Sequence, residues 1–130
     1  MLTHFTFAAF VAVGLGGALG AWLRWGLTLW LNARHPVFPV GTFAANALGG
    51  FLVGVAIAYF AKHPDLSVEW RLFVITGFLG GLTTFSTFSA EVVSLIERSE
   101  IGWALAVAGS HLAVSLLLTG AGLYVYRSLS

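Results

Sequence analysis

Four apolar runs, each near the roughly 20 residues an α-helix needs to cross a hydrocarbon core, dominate the chain and set its fold class. The expected spans run from about Phe5 to Leu23, Val40 to Ala61, Leu72 to Leu95 and Trp103 to Tyr126. Charges collect between them: Arg24 closes the first run, Lys62 and Asp65 follow the second, Glu69 and Arg71 precede the third, and Glu97, Arg98 and Glu100 precede the fourth. Trp22, Trp25, Trp30, Tyr59, Trp70, Trp103, Tyr124 and Tyr126 sit near expected ends, where amphipathic rings anchor spans at the interface. Of the 130 residues 58% are hydrophobic and 8% charged, whereas a soluble domain carries about 25% charged residues to cover its surface. Lipid is therefore the expected solvent, and the chain is expected to be an all-α integral membrane protein forming one four-helix domain over residues 1–130.

The same composition excludes several functions. A net charge of +1 offers no basic patch for nucleic acid. With no cysteine there is no disulfide, thiolate nucleophile or Cys-ligated metal. Only His4 precedes the first apolar run, so a secretory signal with a positive n-region is not expected, and Met1 onward reads as mature protein. Four spans put both termini on one side. That side gathers Lys62, Arg71 and Arg127, against Arg24, Arg34 and Arg98 opposite. A Lys/Arg excess normally sets orientation, and three against three sets none. Either other factors resolve a weak bias, or copies insert both ways and pair antiparallel. Gly16/Gly20, Gly50/Gly54 and Gly77/Gly81 have the spacing that lets membrane helices approach closely, without indicating a partner.

The stretch from Gly77 to Ser89, with Gly80-Gly81 followed by Thr83-Thr84-Phe85-Ser86-Thr87-Phe88, predicts a break in the third span near the bilayer centre. Adjacent glycines each cost a helix interior roughly 1 kcal/mol, and the hydroxyls that follow compete for backbone partners. A break frees carbonyls and N–H groups at membrane depth, tolerated only where protein buries them or a wet site uses them. The alternative is a continuous, glycine-kinked helix. Asn46 is an amide within an apolar span, serving either as interhelical glue or as a cavity group. His111, Ser115 and Thr119, four residues apart, form a polar stripe on the fourth span. Asn, Ser, Thr and neutral His all offer donors, as a small hydrated anion requires, and no Lys or Arg lies mid-span to trap it. Phe85 and Phe88 share a face; they are packing residues or electropositive ring edges flanking an anion. The residues by themselves indicate a small channel or transporter with its ion open.

Three segments carry a resemblance: Gly16-Gly17-Ala18-Leu19-Gly20-Ala21-Trp22-Leu23-Arg24-Trp25, Gly41-Thr42-Phe43-Ala44-Ala45-Asn46, and Gly77 to Ser89. Along nearly its whole length the chain resembles the Fluc (CrcB-like) family of fluoride channels. The resemblance implies passive fluoride efflux that protects the cell from fluoride, and a multi-pass protein of the bacterial inner membrane. It implies a dual-topology, antiparallel homodimer with two pores shared between subunits. It assigns Asn46, Phe85, Phe88, His111, Ser115 and Thr119 to the fluoride pore and Arg24 to an aqueous vestibule. It also implies a structural sodium ion on the dimer axis, held by carbonyls of Gly80 and Thr83. Glu91 has no clear role in that scheme.

Two rival classes fit less well. A four-span, proton-coupled multidrug exporter needs an intramembrane carboxylate; the first span has none, and Glu91 lies near a helix end. A membrane enzyme would need paired carboxylates or metal-ligand spacing, and the histidines are scattered at His4, His35, His63 and His111. The expectation is therefore a channel and not an enzyme.

Overall fold

The computed structural model describes residues 5–130, so the reading of the N-terminus around Met1 and His4 lies outside the described residues. Among these, four helical spans are long and apolar enough to cross a membrane: Phe7–Arg34, Val40–Lys62, Val68–Glu97 and Ile101–Leu129. The helices are α1 (Phe7–Leu31), α2 (Val40–Lys62), α3 (68–82), α4 (Phe85–Glu97) and α5 (Ile101–Leu129). Within α3, the turns at Leu72–Leu79 are π-helical, between ordinary α-turns at Val68–Arg71 and Gly80–Leu82.

Local chemistry accounts for the helix ends. The Thr6 hydroxyl accepts the Ala9 N–H at 3.0 Å and starts α1. α1 does not close at Arg24-Trp25, as the sequence reading expects, but continues to Leu31. The reason lies across the helix pair: Arg24 Nε donates to the Gly81 carbonyl at 2.9 Å, so its charge is partnered without ending the helix. A short 3₁₀ turn at Asn32–Arg34 follows. Pro39 cannot cap α2 with a side chain, and Asn32 does so from a distance, its Oδ1 accepting Gly41 N–H at 2.6 Å and Thr42 N–H at 3.4 Å. His35 Nδ1 accepts the Val37 and Phe38 N–H groups at 3.0 and 2.7 Å and ties the connection together. α4 ends where Ser99 N–H reaches Ile96 and Glu100 N–H reaches Leu95, at 2.9 and 2.8 Å, with Ser99 at φ 60° in the left-handed cap position.

Two close-packed helix pairs form the body. In the first, α1 lies on α3: a Cβ at Gly16 or Gly20 would strike the Phe73 or Phe78 carbonyl, and one at Gly77 would meet Gly16 Cα at 3.0 Å. In the second, α2 lies on α5: a Cβ at Gly54 would strike the Thr119 carbonyl, and one at Gly122 the Phe51 carbonyl. Ala45, Ala56, Phe60, Leu79 and Leu82 form a core between the pairs, and Leu95, Ala104 and Val107 pack with Phe38 and Phe88 at one end. The outer faces present Phe10, Leu15, Trp22, Leu29, Leu105, Leu112, Leu116 and Leu117. Apolar side chains cover the outside, as lipid demands, and small residues line the two helix seams.

Candidate functional site

The site is built around two residues. Thr83 (φ −93°, ψ 156°) and Thr84 (φ −151°, ψ 122°) are extended, so α3 stops at Leu82 and α4 starts at Phe85. Gly80 and Gly81, expected to open the interruption, are instead helical. The missing side chain of Gly81 serves packing, since a Cβ there would meet the Gly17 carbonyl at 2.6 Å; Gly80 has ordinary room for one. The threonines depart from the helix because their hydroxyls supply substitute partners. Thr83 Oγ1 donates to the Leu79 carbonyl at 2.9 Å, and Thr84 Oγ1 accepts the Thr87 N–H at 3.1 Å as the cap of α4.

Asn46 holds this segment with both ends of its amide. Its Oδ1 accepts the Thr84 N–H at 2.8 Å and its Nδ2 donates to the Thr84 carbonyl at 3.1 Å. An amide nitrogen has two protons, so one N–H is left after the clamp is made. The clamp also changes the backbone. In a continuous helix Thr84 N–H would go to Gly80 and Thr87 N–H to Thr83. Asn46 Oδ1 and Thr84 Oγ1 take those protons, leaving the Gly80 and Thr83 carbonyls without them. The carbonyl of Gly81 has its own partner in Arg24.

A cavity of about 390 Å³ opens beside the interruption, lined by Asn46, Gly80, Thr83, Phe85, Phe88, His111 and Ser115 together with apolar residues of α2, α3 and α5. Seven of the sequence-derived candidates therefore share one wall system. The Phe85 and Phe88 rings meet edge to face, centroids 5.5 Å apart, and Phe85 is 77% exposed at the cavity's open side. Phe88 stacks on His111 at 4.6 Å, which covers a face of the ring and leaves its edge to the surroundings. Thr119 lies one turn beyond Ser115, outside the lining. Its single hydroxyl proton is held between the Gly50 and Ser115 carbonyls at 3.0 and 2.9 Å. Arg24 also lies away from the lining, on α1.

His111 differs from the sequence reading in a chemically important way. Its Nδ1 lies 3.0 Å from the Val107 carbonyl, which can only accept, so Nδ1 carries the proton. The Nε2 of a neutral ring is then a bare acceptor, not the donor expected. Sequence reasoning also missed three polar contributors. Thr84 supplies the backbone that Asn46 grips, Asn32 caps α2 from the preceding turn, and Thr42 donates to Glu91 Oε2 at 2.9 Å. Glu91 Oε1 is buried with no partner among the described residues. Thr42 was visible in the Gly-Thr-Phe-Ala-Ala-Asn motif, one turn before Asn46, but the carboxylate it faces is 49 residues away in the chain.

Fold and site together define a class: a small all-helical membrane protein in which a largely apolar cavity carrying a few polar groups adjoins two extended residues of its third span. Residues 11–123 match the family described as CrcB-like protein, Camphor Resistance (CrcB), and the chain belongs to that family. A protein of Cupriavidus pinatubonensis is 57% identical over 93% of this chain and 96% of its own length. One from Pseudomonas putida is 58% identical over 92% and 94%, and one from Thiobacillus denitrificans 56% identical over 93% and 98%. All three bear the name fluoride-specific ion channel FluC.

Proposed function

We propose that this chain is a fluoride-selective channel that lets fluoride leave the cell passively and so limits its toxicity. The observation that carries the reading is the convergence of Asn46, Phe85, Phe88, His111 and Ser115 on one cavity, in a chain more than half identical to proteins named as fluoride channels. Selectivity for a small, strongly hydrated anion follows from donors and ring edges that replace water without a fixed mid-cavity cation. In this reading the remaining Asn46 N–H and the edges of Phe85 and Phe88 contact the anion, Ser115 and Thr119 continue the route, and Arg24 draws anions toward it.

The working unit is an antiparallel homodimer with two pores, in the bacterial inner membrane, and its third span is broken near the bilayer centre. The balanced Lys/Arg distribution supports insertion in both orientations. The cavity's open side, with Phe85 exposed on it, supports completion of the pore by a second copy. A structural sodium ion on the dimer axis belongs to the same reading. The Gly80 and Thr83 carbonyls, relieved of their helical donors, fit a hard cation that takes oxygen ligands. The ion would supply charge that holds those dipoles together.

Fluoride efflux from proteoliposomes, read with a fluoride electrode, tests the function. Fluoride should leave rapidly while chloride and a cationic drug stay inside. Equal chloride release, or drug exchange driven by a proton gradient, would overturn the reading. Replacing sodium by a large organic cation should weaken the dimer or slow the flux.

A further inference from the structure

Among the described residues, one polar side-chain atom on the wall of this cavity is both buried and unpartnered. His111 is 4% exposed, yet its Nε2 has no hydrogen-bond partner among the described residues. Nδ1 is committed to Val107 on its own helix, so Nε2 is the edge of the ring turned away from α5. The ring lines the cavity, its face against Phe88 at 4.6 Å, with Phe43 edge-on at 5.2 Å and Phe38 at 6.3 Å. A satisfied structural histidine would use both nitrogens; this one uses one.

We propose that His111 is a proton-linked fluoride site, in which the anion binds only when the ring takes up a proton at Nε2. The inference rests on the fluoride reading and deepens it. In the neutral ring Nε2 presents a lone pair, which repels fluoride as an acceptor repels an acceptor. A proton from the aqueous side converts it to an N–H donor on a cation, and the proton returns to water when the anion leaves. Each event assists the other. A buried imidazolium without a counter-ion is costly, and fluoride is the counter-ion the cavity admits. Phe88 favours the same state, its π-face toward the imidazolium and its electropositive edge free for the anion.

Other titratable groups on the surrounding elements are few. α4 carries Glu91, one turn past Phe88 and bonded to Thr42, and Glu97 further along. The turn before α2 carries His35, 6.4 Å from Phe38, with Nδ1 engaged by backbone N–H groups. α2 has Tyr59 and Lys62 only at its far end, and α5 has Tyr124, Tyr126 and Arg127 at its own. Glu91 is the group that could imitate the effect, and the controls address it.

Fluoride efflux should be compared at about pH 5.5 and about pH 7.5, which bracket the ordinary histidine value of about 6.5. Protein-free vesicles correct for leak of the neutral acid. The unmodified protein should be several-fold faster at the lower pH. In His111→Gln that ratio should fall to about one whatever the absolute rate, while Glu91→Gln and His35→Asn should keep the ratio of the parent. A pH-independent parent, or an unchanged ratio in His111→Gln, overturns the proposal. A second measurement needs no variant: fluoride added to purified protein labelled with ¹⁵N-histidine near pH 6.5 should protonate the His111 ring, and chloride should not. If the ring nitrogens ignore fluoride, the proposal fails even where flux is normal. Absence of any fluoride-selective flux at either pH would instead defeat the channel reading.

Discussion

The two glycine seams are built alike and equipped differently. α1 and α3 meet through Gly16, Gly20, Gly77 and Gly81, backbone on backbone, with Arg24 as the cross-helix hydrogen bond at one end. α2 and α5 meet through Gly54 and Gly122 in the same manner, but Thr119 bridges to the Gly50 carbonyl and the cavity opens alongside, between Gly49, Gly50, His111 and Ser115. Lipid offers no hydrophobic drive between helices, so both seams depend on dispersion contact that only small residues permit. Polar groups are costly at such depth, and this protein concentrates them where they also face a cavity. One seam holds the span carrying the two extended threonines in place; the other brings the side chains to it.

The largest expected effect breaks the first seam. Gly20→Val sets a branched side chain against the Phe78 carbonyl and the Leu82 nitrogen, neither of which can yield without moving a helix. It should cost about 3 kcal/mol or more and leave little folded protein on size-exclusion chromatography. Gly54→Val should do the same to the second seam through the Thr119 carbonyl. A normal yield from either would mean that the seams are not close contacts. Next is Asn46→Asp, which replaces the Nδ2 donor by a second acceptor facing the Thr84 carbonyl. Flux per folded protein should fall about 100-fold or more, since a charge-assisted hydrogen bond is worth about 1.5–3 kcal/mol and a repulsion is added. Near-normal flux would reduce Asn46 to a clamp. Phe88→Ile should slow flux about tenfold, removing a ring edge worth about 0.5–1.5 kcal/mol while keeping an apolar side chain. If only thermal stability changes, Phe88 is a packing residue. Thr119→Val is the mildest. Its hydroxyl proton is already spent on two carbonyls, so losing it should cost about 0.6 kcal/mol, an about threefold change at most in flux or in folding equilibrium. A loss as large as that of Asn46→Asp would mean that the hydroxyl turns toward the anion during passage.

The four spans were legible because apolar length is a one-dimensional property, and the second began at Val40 as expected. The end of the first was not, because Arg24 reads as a border charge until Gly81 is seen beside it. Within the stretch from Gly77 to Ser89, the extended residues are Thr83 and Thr84. Glycines are the poorest helix formers in the stretch, yet Gly80 and Gly81 stay helical while Thr83 and Thr84 depart from it. Propensity ranks residues in isolation; here contact with α1 rewards Gly81 for lacking a side chain, while Gly80 has ordinary room for one. The π-helical turns at Leu72–Leu79 had no sequence signal that we can identify.

By itself, then, the sequence determined the solvent, the number of spans, and which polar residues lie too deep to be ornamental, since a polar group in hydrocarbon must find a partner or a role. Only the tertiary structure decided which partner each one found. It gave the Asn46 amide to Thr84, the Thr42 hydroxyl to Glu91 and the Thr119 hydroxyl to Gly50, and it left His111 Nε2 without one. Composition counts donors and acceptors along the chain. Hydrogen bonds depend on distance and direction between groups tens of residues apart, and those are fixed when the helices pack.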